Sequence, residues 1–237
     1  MGKADLHIHT RVSDGMESIS TVLEYIEHRT DLDVVAITDH EDAYGGHAAR
    51  ELAAKRGYRF EVIVGAEITT IQGHLLGLFL ERTPASFRGV ESTVDVIHRQ
   101  GGIAIAPHPM SWLTRSLSRR TLDRLSSDSG ARLDALELAN PSPAGLKTRA
   151  QTIRRNEKFW HLPSVGGSDA HHLPHIATAW TEFPGTSAEE LRQAVLDGKT
   201  AGRMTRYPPW AEIGFTRLAL GLAWGYSATP RKMVRRR

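Results

Sequence analysis

The stretch DLHIHT, residues 5–10, decides how the rest of the chain is read. In an extended strand residues two apart share a face, so Asp5, His7 and His9 project one way while Leu6 and Ile8 project the other. Leucine and isoleucine suit packing against helices. Two imidazoles side by side suit a divalent cation, and a buried imidazole without a partner costs stability. The alternation therefore predicts a strand with an apolar face and a chemical face. In a barrel of alternating strands and helices such chemistry is built at the C-terminal ends of the strands.

Working outward, the same punctuation repeats. SISTVLEYIEHR is helical, with Val22, Tyr25 and Ile26 at the spacing of one buried face. LDVVAIT is an unbroken apolar run of the buried parallel type. A helix follows to Gly57, then the strands FEVIVGAEI and GHLLGLFL. Residues 90–100 and 118–127 read as helices, IAIA (103–106) and LDALELA (133–139) as strands, and 145–161 as one long helix. PSVGGSDA is a short strand entering a loop. TSAEELRQAVLDGK is a helix with Ser187 as N-cap, Glu190 three residues on and Gly198 as stop. About seven strand–helix units with short connections predict an α/β fold, a distorted seven-stranded (β/α)7 barrel of the TIM-barrel type. An open doubly wound sheet is disfavoured because no glycine-rich phosphate loop follows any strand.

Each apolar run ends on an oxygen or nitrogen ligand type. Asp14 lies in the SDG loop and His40 ends the second strand as TDH. Glu67 ends VIVGAE, and His74 opens GHLLGL. His108 ends IAIAPHP, and Asp169 and His171 follow VGGS two residues apart. With His7 and His9 this makes six histidines, two aspartates and one glutamate. That is too many for one ion and fits two or three divalent ions, Zn, Mn or Fe, if Glu67 bridges two of them. Asp39 and Ser168, beside these donors, are expected to orient the imidazoles.

Composition narrows the function classes. There is no cysteine, which excludes disulfides and thiolate metal sites. The opening MGKADLHIHT has no signal-peptide apolar core, so a cytoplasmic location is expected. The net charge is +3, but the last seven residues, RKMVRRR, carry five positive charges, so the body is slightly acidic and presents no nucleic-acid type of basic face. Nucleic acid is possible but not favoured, and the tail allows weak membrane-surface contact. Residues 1–205 read as one catalytic domain. Residues 206–237 read as a separate apolar segment, EIGFTRLALGLAWGYSA, with the basic tail; the apolar part is expected to pack as a final helix, or else to lie at a membrane interface. Oligomeric state leaves no trace.

HIHT…SDG, TDH, GAE…GH, PHP and GSDAH, in this order over residues 4–205, resemble the motif series of the polymerase-and-histidinol-phosphatase (PHP) family. The resemblance implies the distorted barrel, a two- or three-metal site and hydrolysis of phosphate esters. It implies a first ion held by His7, His9, Glu67 and Asp169, a second by Glu67, His74 and His108, and a third by Asp14, His40 and His171. Glu67, Asp169 and His171 are then the expected catalytic residues. A phosphate needs cations that are not ligands. Arg11, Arg115 and Lys147, with His172 in the last loop, are the candidate substrate contacts. Relatives often carry an arginine soon after the asparagine of the sixth strand, where this chain reads NPSPAGLK. The expected substrate is a small phosphorylated metabolite or nucleotide; histidinol phosphate, nucleotides and sugar phosphates all fit. The rival readings are an exonuclease or oligonucleotide phosphoesterase, and an amidohydrolase-type hydrolase, which usually relies on one or two ions.

Overall fold

The computed structural model describes residues 1–126 and 131–209. The expectations for the apolar segment and RKMVRRR tail lie outside those residues. The first strand, β1 (Gly2–Ile8), pairs in parallel with β2 (Val34–Ile37), and β2 with β3 (Glu61–Thr69). The next strand, β4 (His74–Leu78), returns antiparallel to β3, and β5 (Ile103–Ala106) is antiparallel to β4. Parallel pairing resumes with β6 (Ala135–Ala139) and β7 (Ser164–Gly166). Finally β8 (Ala179–Phe183) pairs antiparallel with β1, and β9 (Ala201–Met204) with β8. The spatial order is β7-β6-β5-β4-β3-β2-β1-β8-β9.

The sheet curls until its ends nearly meet. A parallel bridge joins Ile8 of β1 to Ala170 just beyond β7. The Gly166 amide donates to Thr181 Oγ1 at 2.9 Å and the Gly202 amide to Ser164 Oγ at 3.3 Å, tying β7 to β8 and β9. The chain is thus an α/β, nearly closed barrel, but it does not form seven regular β/α units. Among the described residues it has nine strands and six α-helices. The reason is local: only four residues separate β3 from β4, which permits a hairpin and not a crossover helix.

The helices are α1 (Ile19–Arg29), α2 (Tyr44–Arg56), α3 (Val90–Arg99), α4 (Arg119–Leu125), α5 (Pro143–Arg155) and α6 (Ala188–Leu196). Their starts are written in the sequence. Ser18, Ser118 and Ser142 accept backbone amides as N-caps, and Ser187 with Glu190 forms a full capping box. Gly57 ends α2 at φ 64°, where a Cβ would strain. The long helix expected over 145–161 is instead α5 followed by a π turn over Asn156–Trp160. The Asn156 side chain binds both the amide and the carbonyl of Leu162, which draws the chain out of the α-helical ladder. The strands β8 and β9 have no counterpart in the sequence reading.

Apolar burial follows the layers. Val35 and Ile37 of β2 pack with Val22, Leu23 and Ile26 of α1 and Ala49 and Ala53 of α2. Ala4, Leu6, Val34 and Ile63 pack in another cluster with Leu191, Ala194 and Val195 of α6. Leu6 and Ile8, expected on one face, are both buried but pack in different clusters, Leu6 with α6 and Ile8 with α1 and α2. No helix among the described residues is long and apolar enough to cross a membrane.

Candidate metal centre

Strands and the segments just after them deliver all nine donor residues to one place. His7 lies on β1 and His9 one residue past its end. Their rings are 5.0 Å apart. His40 follows β2 and forms a bridge with Glu67 of β3, and His74 opens β4 opposite Thr69. The hairpin thus folds His74 back onto Glu67. His108, Asp169 and His171 follow β5 and β7, and Asp14 lies in the loop after β1.

Glu67 is the hub. Its Oε2 lies 3.2 Å from His7 Nε2, 3.3 Å from His9 Nε2 and 3.4 Å from His40 Nε2. Its Oε1 lies 2.7 Å from His74 Nδ1 and 3.2 Å from His108 Nε2. One carboxylate therefore offers one oxygen to each of two groups of imidazoles. Asp169 Oδ1 faces His7 Nε2 and His9 Nε2, both at 3.6 Å. Asp14 Oδ2 stands 3.5 Å from His40 Nε2 and 3.3 Å from His171 Nε2, and Asp14 Oδ1 stands 3.5 Å from His9 Nδ1. Three donor groups with ligand atoms mutually within 4.8 Å result: His7, His9 and Asp169; His9, Asp14, His40 and His171; and His40, Glu67 and His74. His9 belongs to two of these groups and His40 to two, so the donors interlock more than a clean three-way division implies.

The electrostatics of the cluster are those of a cation site. Burial alone would pull His7 and His9 down. The carboxylates of Glu137, Asp169 and Glu67 instead hold His7 well above its ordinary value, and the adjoining carboxylates of Asp169, Glu67 and Asp14 hold His9 up at about 10. Burial opposes ionisation of Asp14, Glu67 and Asp169, yet the surrounding imidazoles keep all three low. His40 goes the other way, to about 4, because burial is joined by the positive neighbours His9 and His74. Buried carboxylates here require positive charge between them. Both ring nitrogens of His9 and Nδ1 of His40 are buried without a hydrogen-bond partner. Orphaned imidazole nitrogens beside ionised carboxylates fit hard or borderline divalent ions such as Zn, Mn or Fe.

Groups behind the donors fix their aim. Glu137 of β6 was missed by the sequence reading, although a charge inside the apolar run ALELA was the signal. Its Oε1 accepts from His7 Nδ1 at 2.9 Å, which turns the Nε2 lone pair of His7 toward the cluster. Its Oε2 accepts from the His108 amide and from Asn140, each at 2.8 Å. Gly167 is required here, since a Cβ would strike Glu137 Oε1 and lie 2.6 Å from His7 Cβ. His108 Nδ1 pairs with Ser116 Oγ at 2.8 Å, and His171 Nδ1 donates to the Asp169 carbonyl at 2.9 Å. His108 and Asp169 have φ of 31° and 54°, the left-handed region that tight sites use to aim side chains.

Asp39 and Ser168 do not touch the imidazoles as expected. Asp39 accepts from the amides and hydroxyls of Thr10 and Ser13, so it shapes the loop that carries Asp14. Ser168 donates its amide to Asp5 and its hydroxyl to the His7 carbonyl, so it anchors backbone. Asp5, fully buried and pushed up to about 6 by burial, also accepts the amides of His7 and Ala177.

The four candidate substrate contacts lie outside this cage. Arg11 is exposed and donates to the Met16 carbonyl at 2.7 Å. Arg115 is exposed and reaches the Thr70 carbonyl at 3.5 Å. Lys147 is exposed, its ammonium 5.4 Å from the Trp112 ring. His172 is half-buried, edge-on to His175. Arg149 is committed elsewhere, its Nε donating to the Leu138 carbonyl at 2.9 Å.

Comparison with known proteins follows the same lines. The PHP domain family matches residues 5–157, and a PHP-associated family matches residues 151–200. An uncharacterized protein of Methanocaldococcus jannaschii is 38% identical over 132 residues, 51% of this chain and 75% of that protein. A phosphoribosyl 1,2-cyclic phosphate 1,2-diphosphodiesterase of Eggerthella lenta is 34% identical over 101 residues, 40% of this chain and 37% of the enzyme. Among solved structures, a two-domain protein of Bacteroides vulgatus containing a predicted PHP-like metal-dependent phosphoesterase superposes with TM-score 0.66 at 21% identity. That match covers 85% of this chain and 64% of the other.

Proposed function

The chain belongs to the PHP domain family, and from that premise we propose that it hydrolyses phosphate esters at a centre of two or three divalent ions. The observation that carries this reading is the Glu67 carboxylate, whose two oxygens face two different groups of imidazoles. His7, His9, Glu67 and Asp169 would hold one ion, Glu67, His74 and His108 a second, and Asp14, His40 and His171 a third. Bound there, divalent ions supply Lewis-acid polarisation of phosphoryl oxygens and activation of water at neutral pH.

The chain's own residues do the rest. Glu67 and Asp169 keep their negative charge in a buried site and would offset the mutual repulsion of divalent ions held there. Glu137 and Ser116 hold His7 and His108 in one tautomer, so nothing need reorganise as substrate arrives. His171 is the most accessible of the donors assigned to the third ion, with 32% of its side chain exposed against 10% for His40 and 11% for Asp14. That exposure supports a role for His171 in first contact with substrate. Arg11, Arg115, Lys147 and His172 would bind the phosphate or its attached group. The substrate class is a small phosphorylated metabolite or nucleotide, a reading that the phosphodiesterase relative supports.

The test is hydrolysis of an aryl phosphate by the Mn- or Zn-supplied protein and by Glu67→Ala and Asp169→Ala. Turnover is expected in the first and none above background in the variants, with circular dichroism unchanged. Equal turnover in all three contradicts the assignment. The amidohydrolase-type reading, with its one or two ions, leaves the donor group of Asp14, His40 and His171 without a task. Metal counting beside phosphate release separates the two.

A further inference from the structure

The last described residues run back to the metal centre. Thr205 donates its amide to the Thr178 carbonyl at 2.8 Å, and two residues later Tyr207 lies face to face with His175, their ring centroids 3.8 Å apart and 8° from parallel. Pro208 follows, which restricts Tyr207 to extended backbone. His175 is buried at the end of the turn Leu173–His175. The tyrosine ring is therefore held on one face by His175, and its hydroxyl reaches the turn that carries Asp169. It donates to the Ser168 carbonyl and stands 3.2 Å from the Asp169 carbonyl.

Those two carbonyls flank Asp169, whose φ of 54° is unusual for a residue with a side chain. Orienting both peptide planes fixes the φ and ψ of Asp169, and with them the direction of its carboxylate toward His7 and His9. The Asp169 carbonyl also accepts from His171 Nδ1 at 2.9 Å, which leaves Nε2 of that ring facing Asp14. One turn, residues 168–171, thus presents donors to two of the three groups. Glu67 with His74 and His108 stands on elements that the turn does not build.

We infer that Tyr207 is a positioning residue of the metal centre: its hydroxyl locks the Ser168–His171 turn so that Asp169 and His171 face their ions. The inference rests on the reading of the cluster as a metal site. It also gives a residue beyond 205, the expected end of the catalytic domain, a task inside that domain.

The experiment titrates Mn2+ or Zn2+ into the metal-stripped full chain by calorimetry, for the wild type, Tyr207→Phe and His175→Phe. Tyr207→Phe keeps the stacked ring and removes only the hydroxyl. His175→Phe keeps both the stack and the hydroxyl's bonds. Melting of the metal-free forms by circular dichroism is read alongside. The expected result is a Tyr207→Phe chain that melts like the wild type, keeps one class of site at wild-type affinity and loses about 10- to 100-fold at the rest. His175→Phe retains every affinity. Wild-type affinities throughout in Tyr207→Phe overturn the inference. So does a uniform loss at all sites with a lowered melting temperature in either variant, which marks general packing. A wild-type chain that takes up no ion overturns the metal reading itself and this inference with it.

Discussion

His9 and Arg11 are two residues apart in sequence and belong to two different regions of the molecule. His9 is 2% exposed, with both ring nitrogens buried among carboxylates. Arg11 is exposed and spends a guanidinium nitrogen on the Met16 carbonyl. The same contrast separates the cage from its rim: Glu67 and eight further donors interlocked, against Arg11, Arg115 and His172 on loops and the exposed Lys147 on α5. The difference teaches that the donors of the proposed ion site are fixed in advance, while the proposed substrate contacts are side chains that rearrange at little cost. Pre-arranged donors suit charges that must be buried; exposed cations suit a variable group.

Breaking the cage should have the largest effect. Glu67→Gln keeps the shape and removes the shared charge, so metal content should fall by at least one ion per chain by elemental analysis, and turnover should fall to background. A variant that retains the wild-type number of ions would show that Glu67 is not the hub. Next comes Glu137→Gln, which weakens the bond that orients His7. A loss of about 10- to 100-fold in metal affinity or in kcat is expected, and unchanged titration curves would remove Glu137 from the account.

The titration of the cage sharpens the comparison further. His9 is held up at about 10, so at pH 7 it carries a proton that an ion must displace. Zn2+ binding at pH 7 should release protons, measured from calorimetric enthalpies in buffers of different ionisation heat, and affinity should rise from pH 7 toward pH 10. In the metal-free chain the sign reverses. Stability from a raised histidine is full below its ordinary value of 6.5 and is lost as pH climbs to about 10. Asp14, Glu67 and Asp169 are held low, so their contribution is present above the ordinary carboxylate range and is lost on acidification below it. Melting temperatures of the metal-free chain should therefore fall at both ends; a flat profile from pH 3 to 10 would contradict the charge balance described here.

The rim should give the smallest change. Lys147→Ala or Arg115→Ala is expected to raise KM for a phosphate ester by up to about 10-fold, about 1.4 kcal/mol, with metal content untouched. A lost ion in either variant would erase the boundary between the two regions.

How much of this was legible in the sequence differs between the same two regions. Strand alternation in DLHIHT and the ligand types ending each apolar run named all nine residues that the fold gathers, because burial of such groups demands a common reason. The hairpin that carries His74 back to Glu67 was legible only as two strands close together; its antiparallel sense depends on a short connection. Glu137 could have been read from one charge inside a buried strand. Tyr207 could not, since nothing near YPPW signals a partner some forty residues away. The strand β8 alternates buried and half-buried residues, but β9 reads AGRM, too short and too polar to stand out before its neighbours exist. The rim was named by charge and by nearness to the motifs in sequence, and exposed charge carries little positional information.

The most direct test is a metal count on the purified full chain after reconstitution with Mn2+ or Zn2+ and removal of excess ions. The cage described here should hold at least two ions per chain, with one fewer or none after Glu67→Ala. A wild-type chain that emerges with no tightly held divalent ion would contradict it.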